Sequence, residues 1–331
     1  MDFPDNSYSP AKGRYETMSY RRCGNSGVML PAISLGLWHT FGESTPFATS
    51  QAIARRAFDL GITHIDIANN YGPPAGGAEE TFGRLLRTDF AAHRDELFIS
   101  TKAGYTMWEG PYGDFGSRKY LMASLDQSLR RLGLDYVDLF YHHCPDPNTP
   151  IRETCGALAD IVRQGKALYA GISNYSAEQA AEAIAAMESL GVPLLIDQER
   201  YSMISRGSEE ALQPLLQDKG VGMIAFSPLG QGLLTSKYQT GIPATSRAAS
   251  ESPFLSTQRV TDAAVERARK LGDIAQQRGQ TTAQMALAWV LRNATSALVG
   301  VSSVAQLEEN VAALANLEFS PAELTAIEAA L

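Results

Sequence analysis

The stretch "KYLMASLDQSLRRLGLDYVDLFYHH", residues 119–143, contains the two patterns that decide the fold. Residues 119–133 place apolar side chains at helical spacing and end at Gly133, a residue type that commonly follows a helix. Residues 136–143 form a short, mostly apolar run, which is typical of a buried strand. A helix followed at once by a buried strand is one half of a repeating strand–helix unit.

The same alternation continues along the chain. Eight short apolar runs predict buried strands, at residues 32–38, 62–68, 96–102, 136–143, 167–174, 193–198, 221–228 and 296–302. Helical patterns lie between them, for example at residues 50–61 and 282–293. Strands that alternate with helices imply a parallel sheet, and eight such units close naturally into a (β/α)8 TIM barrel. A doubly wound open sheet is the alternative, but the turn after the first run, "SLGLWHTFG", lacks the GxGxxG motif usual in that fold.

Before the first barrel strand, two short runs flank residues 24–27, "GNSG", which predicts a β-hairpin. We expect residues 1–18 to form an amino-terminal arm and residues 19–331 to form a single barrel domain with an extra carboxyl-terminal helix. Capping patterns predict several helix starts. They are capping boxes at Ser176, Ser303 and Ser320, and an N-cap at Thr149 with Pro150 in the first turn.

Composition limits the possible functions. The 331 residues carry a formal net charge of −8, which argues against nucleic acid or an anionic membrane as the main partner. The three cysteines, Cys23, Cys144 and Cys155, show no CxxC spacing and predict a reducing compartment without a disulfide framework. The sequence has no apolar run of about 18 residues and no apolar signal segment near its start. We therefore expect a cytoplasmic protein without a membrane span.

Polar side chains collect at the carboxyl ends of the predicted strands, the end at which TIM barrels carry their active sites. Each of them, taken singly, also has a structural explanation as a loop cap, a rim residue or a solvated strand end. Together, on neighbouring loops, they indicate a functional site. They are Asp66 and Tyr71 after the second strand, Lys102 after the third, His143 after the fourth, and Asn174, Gln198 and Ser227 after the next three.

Such a set could transfer a proton to a developing alkoxide. A phenol has a reference pKa of about 10, and a nearby ammonium such as Lys102 should lower it. Asp66 could keep Lys102 charged, and an imidazole could polarise a carbonyl through a hydrogen bond. These groups serve carbonyl reduction with a hydride from a cofactor. An aldolase that uses Lys102 as a Schiff base is an alternative, and we expect no metal site, because the consecutive strand residues 142–144 cannot all reach one ion.

These residues resemble the catalytic tetrad of the aldo-keto reductases: Asp66-x4-Tyr71, Lys102 after "FIST" and His143 after "YVDLFYH". The resemblance extends from about residue 18 to the carboxyl end. It includes "GISNYS" (171–176), "FSPLGQGLLTSKY" (226–238) and "GVSSVAQLEENV" (300–311). Within the family, the sequence is most similar to the potassium-channel β-subunit-like branch, which includes bacterial L-glyceraldehyde 3-phosphate reductases.

The resemblance implies that Tyr71 is the general acid, that Lys102 modulates its pKa and that Asp66 is the partner of Lys102. His143, rather than His142, would orient the substrate. The implied substrate pocket is lined by Trp38, Tyr71, Trp108 and His143. The implied cofactor is NADP(H), with Arg247 reading the adenosine phosphate. The implied cofactor-binding residues are Leu37, Trp38, Asp66, Ser173, Asn174, Gln198, Phe226, Ser227, Pro228, Leu229, Gly230, Gln231, Lys237, Arg247, Gly300, Ser302, Gln306, Glu309 and Asn310.

The function implied is NADPH-dependent reduction of small aldehydes, such as glyceraldehyde 3-phosphate or methylglyoxal, to alcohols. The resemblance also implies a homo-oligomer, a tetramer or octamer. The net charge and the lack of an apolar span predict no nucleic-acid or membrane partner. The alternative is a regulatory protein like the channel β-subunits, which binds the cofactor and turns over slowly. His143 favours the enzyme, because the channel-associated members carry a different residue there.

Overall fold

The structure of the protein, a computed structural model, describes residues 8–236 and 262–331. A two-stranded hairpin precedes a closed barrel in which eight strands pair in parallel with their neighbours in chain order. The hairpin strands are β1 (Tyr20–Arg22) and β2 (Met29–Pro31). The barrel strands are β3 (Ile33–Gly36), β4 (His64–Asp66), β5 (Phe98–Ala103), β6 (Val137–His142), β7 (Ala167–Ser173), β8 (Leu194–Arg200), β9 (Gly222–Phe226) and β10 (Ser296–Val299). The predicted TIM barrel with an amino-terminal hairpin is confirmed.

Helices connect the barrel strands on the outside. In the described residues they are α1 (Phe47–Asp59), α2 (Gly77–Thr88), α3 (Arg118–Leu132), α4 (Ile151–Arg163), α5 (Ala177–Ser189), α6 (Leu212–Lys219), α7 (Asp262–Gln277), α8 (Thr282–Val290), α9 (Val304–Val311) and α10 (Pro321–Ala330). Helix α8 is buried along almost its whole length because it packs against both α7 and α9. Helix α10 is the predicted carboxyl-terminal helix. Among the helices of the described ranges, none is both long and apolar enough to cross a bilayer.

The hairpin closes the amino-terminal end of the barrel. Leu30 of β2 packs in one apolar cluster with Leu139 and Ile224 of the barrel strands. The hairpin turn approaches the segment before β9 so closely that a Cβ on Gly24 would lie 2.1 Å from the carbonyl oxygen of Gly220. Gly24 also has a φ of 53°, which glycine adopts without strain. With this end covered, the carboxyl-terminal end is the accessible one.

The described part of the amino-terminal segment lies against the barrel. Tyr8 bonds Asp59 of α1 at 2.8 Å, and its ring meets Phe90 edge-on at 5.6 Å between centroids. Arg14 forms an ion pair with Glu96. These contacts anchor residues 8–18 on the outside of the barrel.

Local capping sequences determine several helix starts. Ser176 and Ser320 each form a complete capping box, as predicted. Ser303 forms only half of the predicted box: its Oγ accepts a hydrogen bond from the backbone N–H of Gln306. The Gln306 side chain instead accepts from the backbone and hydroxyl of Ser302, at 2.9 and 3.0 Å. The local sequence pattern therefore predicted the start of the helix correctly, but it did not predict the hydrogen-bond partner of the Gln306 side chain.

The predicted N-cap at Thr149 is wrong. Helix α4 begins after Pro150, which itself occupies the N-cap position and has no side-chain cap. The backbone N–H of Thr149 donates to Asp146 Oδ1 at 3.1 Å. An aspartate that gathers nearby backbone donors forms a turn of its own, and this turn holds Thr149 outside the helix.

Candidate active site

Asp66 and Lys102 form an ion pair inside the open end of the barrel, where both side chains are fully buried. Asp66 ends β4 and Lys102 lies on the neighbouring strand β5, so strand pairing brings them together. The Lys102 ammonium also donates to the carbonyl oxygen of Ile67 at 2.8 Å. Burial lowers the pKa of Lys102, and the adjacent Asp66 carboxylate opposes this shift. The pairing allows a charge to exist in a water-poor interior.

The carboxylate of Asp66 is held from a second side. Its Oδ1 accepts hydrogen bonds from Ser100 Oγ at 2.7 Å and from Gln198 Nε2 at 3.1 Å. Ser100 Oγ in turn lies 3.0 Å from His64 Nε2, and His64 Nδ1 lies 2.8 Å from Ser34 Oγ. Burial lowers the pKa of His64 to about 4, so the imidazole is neutral at physiological pH. A continuous polar network inside the barrel therefore orients Asp66.

Tyr71 reaches this ion pair from the loop after β4. Its hydroxyl lies 3.4 Å from Lys102 Nζ, and the ammonium lies 4.7 Å from the centre of its ring. Burial raises the pKa of Tyr71 well above its usual value, and the charge of Asp66 adds to the rise. The sequence predicts that Lys102 lowers the pKa of Tyr71. Burial outweighs that effect, because it removes the water that would stabilise the phenolate. Tyr71 is therefore a neutral phenol at physiological pH.

His143 lies beside Tyr71, directly after the end of β6. Their ring centroids are 5.7 Å apart, and the ring of Tyr105 packs edge-on against His143 at 4.7 Å. Burial lowers the pKa of His143 well below its usual value, and the charge of Lys102 adds to this. Nothing in the described part of the chain bonds its buried Nδ1. The site thus contains a neutral imidazole with hydrogen-bonding capacity to spare.

The preceding residue, His142, faces away from the barrel interior. Its Nδ1 lies 2.6 Å from the hydroxyl of Tyr175, and its Nε2 lies 3.3 Å from the carbonyl oxygen of Phe115. Consecutive strand residues point to opposite faces, so only His143 can meet Tyr71. In the described ranges, no group of three or more potential metal-ligating side chains is found.

Trp38 and Trp108, which are expected to line the substrate pocket, and Leu37, which is expected to bind the cofactor, differ in their relation to the tetrad. Trp38 follows β3, and its carbonyl oxygen accepts from the backbone N–H of Gly72 at 3.1 Å, next to Tyr71. Leu37 is buried and donates its backbone N–H to the carbonyl oxygen of Asp66 at 3.0 Å. Trp108 instead packs against Tyr120 of α3, with 5.2 Å between ring centroids. Trp38 and Leu37 thus adjoin the tetrad, whereas Trp108 is tied to the helix layer.

Three polar residues expected to bind the cofactor form one cluster beside the tetrad. Ser173 Oγ donates to the carbonyl oxygen of Gln198 at 2.8 Å. Asn174 Nδ2 donates to the carbonyl oxygen of His143 at 3.0 Å and to Ser173 Oγ at the same distance. Asn174 has a φ of 63°, in the left-handed region that few non-glycine residues adopt. Asparagine adopts this region more readily than most residues, and such backbones recur at functional sites.

The next group runs from the last residue of β9 into the loop that follows: Phe226, Ser227, Pro228, Leu229, Gly230 and Gln231. Ser227 and Gln231 both have left-handed backbones, with φ of 53° and 58°. The Oε1 atom of Gln231 is buried and finds no hydrogen-bond partner in residues 8–236 and 262–331. Lys237 and Arg247, which the resemblance adds to this group, lie outside the described residues.

The last expected group gathers where β10 leads into α9. Ser302 and Gln306 bond each other there, and the carbonyl oxygen of Glu309 accepts from Gln284 at 3.1 Å. Asn310 is buried. A Cβ on Gly300 would meet only the carbonyl oxygen of Gly36, at 3.8 Å. Because β10 pairs with β3, and β3 with β4, the group lies at the same end of the barrel as the tetrad, two strands from β4, which leads to Tyr71.

Sequence reasoning did not single out Ser100 or His64, which hold Asp66 in place. A signal was present: Ser100 precedes Lys102 by two residues, and His64 precedes Asp66 by two. Strand alternation places such pairs on one face. The hydrogen bond between the Ser100 hydroxyl and the His64 imidazole forms only because the barrel closes, so the sequence alone did not predict it.

A model of the aldo/keto reductase family matches residues 32–331, which span the barrel from β3 to the carboxyl end. The match covers both strands of the buried ion pair and every residue expected at the site.

Comparison with curated proteins finds relatives over nearly the whole chain. The chain is 57% identical to L-glyceraldehyde 3-phosphate reductase of Escherichia coli strain K12 over 321 residues, 95% of this chain and 93% of the relative. It is 36% identical to a probable voltage-gated potassium channel subunit beta of Arabidopsis thaliana over 305 residues, 90% and 91% of the two chains. A putative subunit of the same kind from Schizosaccharomyces pombe is 35% identical over 309 residues, 90% and 89% of the two chains.

Proposed function

This chain belongs to the aldo/keto reductase family, and we propose that it reduces small aldehydes to alcohols with NADPH as the hydride donor. Family membership makes it an oxidoreductase. The observation that carries the proposal is the contact of one buried ammonium, Lys102, with both the carboxylate of Asp66 and the phenol of Tyr71. The relative named as a reductase of L-glyceraldehyde 3-phosphate supports an aldehyde substrate.

The donor groups around the tetrad fit a nicotinamide cofactor, the kind that aldo/keto reductases generally use. The hydroxyl and amide groups of Ser173, Asn174 and Gln198 suit a carboxamide, which both donates and accepts hydrogen bonds. The start of α9 suits a phosphate. The unsatisfied Oε1 of Gln231 is a polar atom of the kind that a ligand completes. The preference for NADPH over NADH rests on the expectation for Arg247.

Tyr71 is the proton donor in this mechanism. A nicotinamide cofactor held beside the tetrad would supply a hydride to the carbonyl carbon. Tyr71 would give its phenolic proton to the carbonyl oxygen as negative charge develops there. The raised pKa keeps the phenol protonated at neutral pH. An alkoxide is a much stronger base than a phenolate, so the proton transfer remains favourable. The resulting tyrosinate regains a proton from water before the next turnover.

Lys102 and His143 stabilise the two negative charges of this reaction, the one on Tyr71 and the one on the carbonyl oxygen. The Lys102 ammonium, 3.4 Å from the hydroxyl, favours the tyrosinate that remains after donation. Asp66 keeps the ammonium charged and fixed. His143 is neutral, so it can donate a hydrogen bond to the carbonyl oxygen without releasing a proton in competition with Tyr71.

Substrate choice follows from the relatives. Glyceraldehyde 3-phosphate is the first candidate because the chain is 57% identical to a reductase named for its L-isomer, and methylglyoxal is a second small aldehyde to test. A cofactor-binding regulatory subunit is the alternative, suggested by the potassium channel subunits at 36% and 35% identity. A homo-oligomer, either tetramer or octamer, remains part of the proposal.

The purified protein should consume NADPH in the presence of glyceraldehyde 3-phosphate or methylglyoxal, and NADH more slowly. Tyr71→Phe keeps the ring but removes the donor, so kcat should fall by about 10²–10⁴-fold, the usual contribution of a general acid. The NADPH affinity of this variant, measured by quenching of protein fluorescence, should hardly change. Tyr112→Phe removes the hydroxyl of an exposed tyrosine and is the matched control. Near-normal turnover by Tyr71→Phe would refute the assignment, and a wild type without aldehyde turnover would favour the regulatory subunit.

A further inference from the structure

Tyr120 is a fully buried tyrosine that joins two loops at the open end of the barrel. It lies in the first turn of α3. A phenolic hydroxyl both donates and accepts hydrogen bonds, and this one does both. It donates to the carbonyl oxygen of Tyr105 at 2.5 Å and accepts from Asn69 Nδ2 at 3.1 Å. One hydroxyl therefore connects the loop after β4, which contains Asn69, with the loop after β5, which contains Tyr105.

The loop after β4 presents the phenol of Tyr71. The backbone N–H of Tyr71 donates to the carbonyl oxygen of Ala68 at 3.1 Å, so Asn69 lies within a single turn that ends at Tyr71. The backbone N–H of Asn69 donates to the carbonyl oxygen of Lys102 at 3.0 Å. The Asn69 side chain is buried, and its Oδ1 has no hydrogen-bond partner in the described part of the chain. Its bond to Tyr120 therefore anchors the turn that places Tyr71 beside Lys102.

The loop after β5 places a ring against the imidazole of His143. The ring of Tyr105 packs edge-on against His143, with 4.7 Å between centroids, and the ring of Tyr71 lies 5.7 Å away. The buried Nδ1 of His143 has no hydrogen-bond partner in residues 8–236 and 262–331. The orientation of the imidazole therefore depends on its packing between these two rings.

Other groups hold the far end of the loop after β5. The backbone N–H of Gly116 donates to Asp146 Oδ2 at 3.0 Å, and Thr154 Oγ1 donates to the carbonyl oxygen of Gly116 at 2.8 Å. At the near end, the side chain of Tyr105 is about half-exposed, so burial alone does not fix its ring. The hydrogen bond from Tyr120 fixes the backbone from which this ring extends.

We propose that Tyr120 is a positioning residue for the reduction, whose hydroxyl holds Tyr71 and His143 at the spacing needed to act on one carbonyl oxygen. The inference rests on the proposed function, since it needs both groups to share that oxygen. Tyr120 acts on Tyr71 through Asn69 and on His143 through Tyr105. A misplacement on the order of 1 Å of a reacting group can cost about a hundredfold in rate. The alternative is a structural hydroxyl that stabilises the two loops without affecting the reaction.

Tyr120→Phe removes the hydroxyl and keeps the ring that packs against Trp108. With an aldehyde that the wild type reduces, kcat should fall by about ten- to a hundredfold. The KM for the aldehyde and the Kd for NADPH should change by less than about threefold, because binding is not what the hydroxyl supports. Single-turnover oxidation of NADPH should slow by the same factor as kcat, since the chemical step is affected.

Tyr20→Phe is the matched control for the loss of a tyrosine hydroxyl. The hydroxyl of Tyr20 donates to the carbonyl oxygen of Gly61 at 2.7 Å, but Tyr20 belongs to the hairpin at the closed end of the barrel. This variant should keep the wild-type kcat even if its midpoint of urea unfolding falls.

A further set of variants separates positioning from a structural role. In the background Asn69→Ala/Tyr105→Leu, the two side chains through which the hydroxyl acts are absent. Adding Tyr120→Phe there should lower kcat by less than about threefold, because residues that act as a unit are not additive. If Tyr120→Phe alone does not fold, Asn69→Ala and Tyr105→Leu test the two branches separately. Each should then lower kcat while the Kd for NADPH stays within about threefold.

A Tyr120→Phe protein with a wild-type kcat would overturn the proposal and leave Tyr120 a structural residue. An equal fall in kcat in the wild type and in the Asn69→Ala/Tyr105→Leu background would show that Tyr120 does not act through these side chains. A raised Kd for NADPH with an unchanged single-turnover rate would assign the hydroxyl to binding instead. If the wild type reduces no aldehyde, the proposed function itself has failed, which is recognisable before any variant is made.

Discussion

Lys102 carries its ammonium group into the barrel interior, where its side chain is fully buried and bonds Asp66 and the carbonyl oxygen of Ile67. Removing one partner of a buried ion pair costs more than the pair contributes, because the other charge stays buried without compensation. Lys102 therefore has two separable effects, one on the chemistry of Tyr71 and one on the stability of the barrel.

Lys102→Met should abolish most of the turnover, because the tyrosinate left after proton donation loses its cation. The same variant should lose about 3–5 kcal/mol in the free energy of unfolding, because Asp66 becomes an unpaired buried charge. Steady-state kinetics and urea denaturation measure the two effects. The double variant Asp66→Asn/Lys102→Met removes that charge, so it should regain stability without regaining activity. A folded and active Lys102→Met protein would contradict the mechanism.

Helices α2 and α3 show how an element supports the site from outside. The buried Glu79 of α2 forms an ion pair with the partly exposed Arg131 of α3 at 2.6 Å and accepts a hydrogen bond from Thr101 of β5 at 2.6 Å. Thr101 precedes Lys102, so the position of α2 affects the strand that carries the ammonium. Gly83 permits the close approach, because a Cβ there would lie 2.3 Å from the carbonyl oxygen of Arg131.

Gly83→Ala should lower the free energy of unfolding by about 1–3 kcal/mol, the usual cost of overpacking, because the new methyl group meets backbone that cannot rotate away. Gly156→Ala in α4 is the matched control. A Cβ at Gly156 meets nothing within 4 Å, so this change should raise stability by about 0.5–1 kcal/mol through helix propensity. Urea denaturation of both variants gives the comparison. Equal stabilisation by the two substitutions would show that α2 and α3 separate easily.

At the scale of the whole molecule, two carboxyl groups on the outer face of β8 couple stability to pH. Asp197 is fully buried, and neither of its carboxylate oxygens has a hydrogen-bond partner in the described ranges. Burial raises the pKa of Asp197 well above its usual range, and the charge of Glu199 raises it further. Burial likewise raises the pKa of Glu199 to about 7. The native state therefore holds protons that the unfolded chain releases, and stability falls as pH rises from the unfolded pKa, about 4, through the folded one.

Asp197→Asn keeps the shape but cannot ionise. Its free energy of unfolding should exceed that of the wild type by about 1–3 kcal/mol at roughly pH 8, and the difference should shrink at roughly pH 4.5. Urea denaturation at the two pH values measures this. Asp135→Asn removes an exposed loop carboxylate and controls for net charge. A difference that grows toward acid pH would reverse the sign and rule out a protonated Asp197.

The sequence by itself determined the order of the strands in the barrel and most of the local geometry of the strands and helices. The eight apolar runs each correspond to a strand, because a two-residue alternation or a short apolar run depends only on neighbouring residues. Ser176 and Ser320 cap their helices as predicted for the same reason. The strand ends also indicated Asp66, Lys102 and His143 as candidates, since a parallel barrel places all carboxyl ends on one face.

Only the tertiary structure decided which of these groups touch and which protonation states they hold. Asp66 bonds Gln198, 132 residues away, and this contact exists only because the barrel closes. The pKa of Tyr71 is raised rather than lowered, because burial depends on every element around it and not on Lys102 alone. Contacts between distant strands and the exclusion of water are properties of the assembled barrel, so no local pattern in the chain could encode them separately.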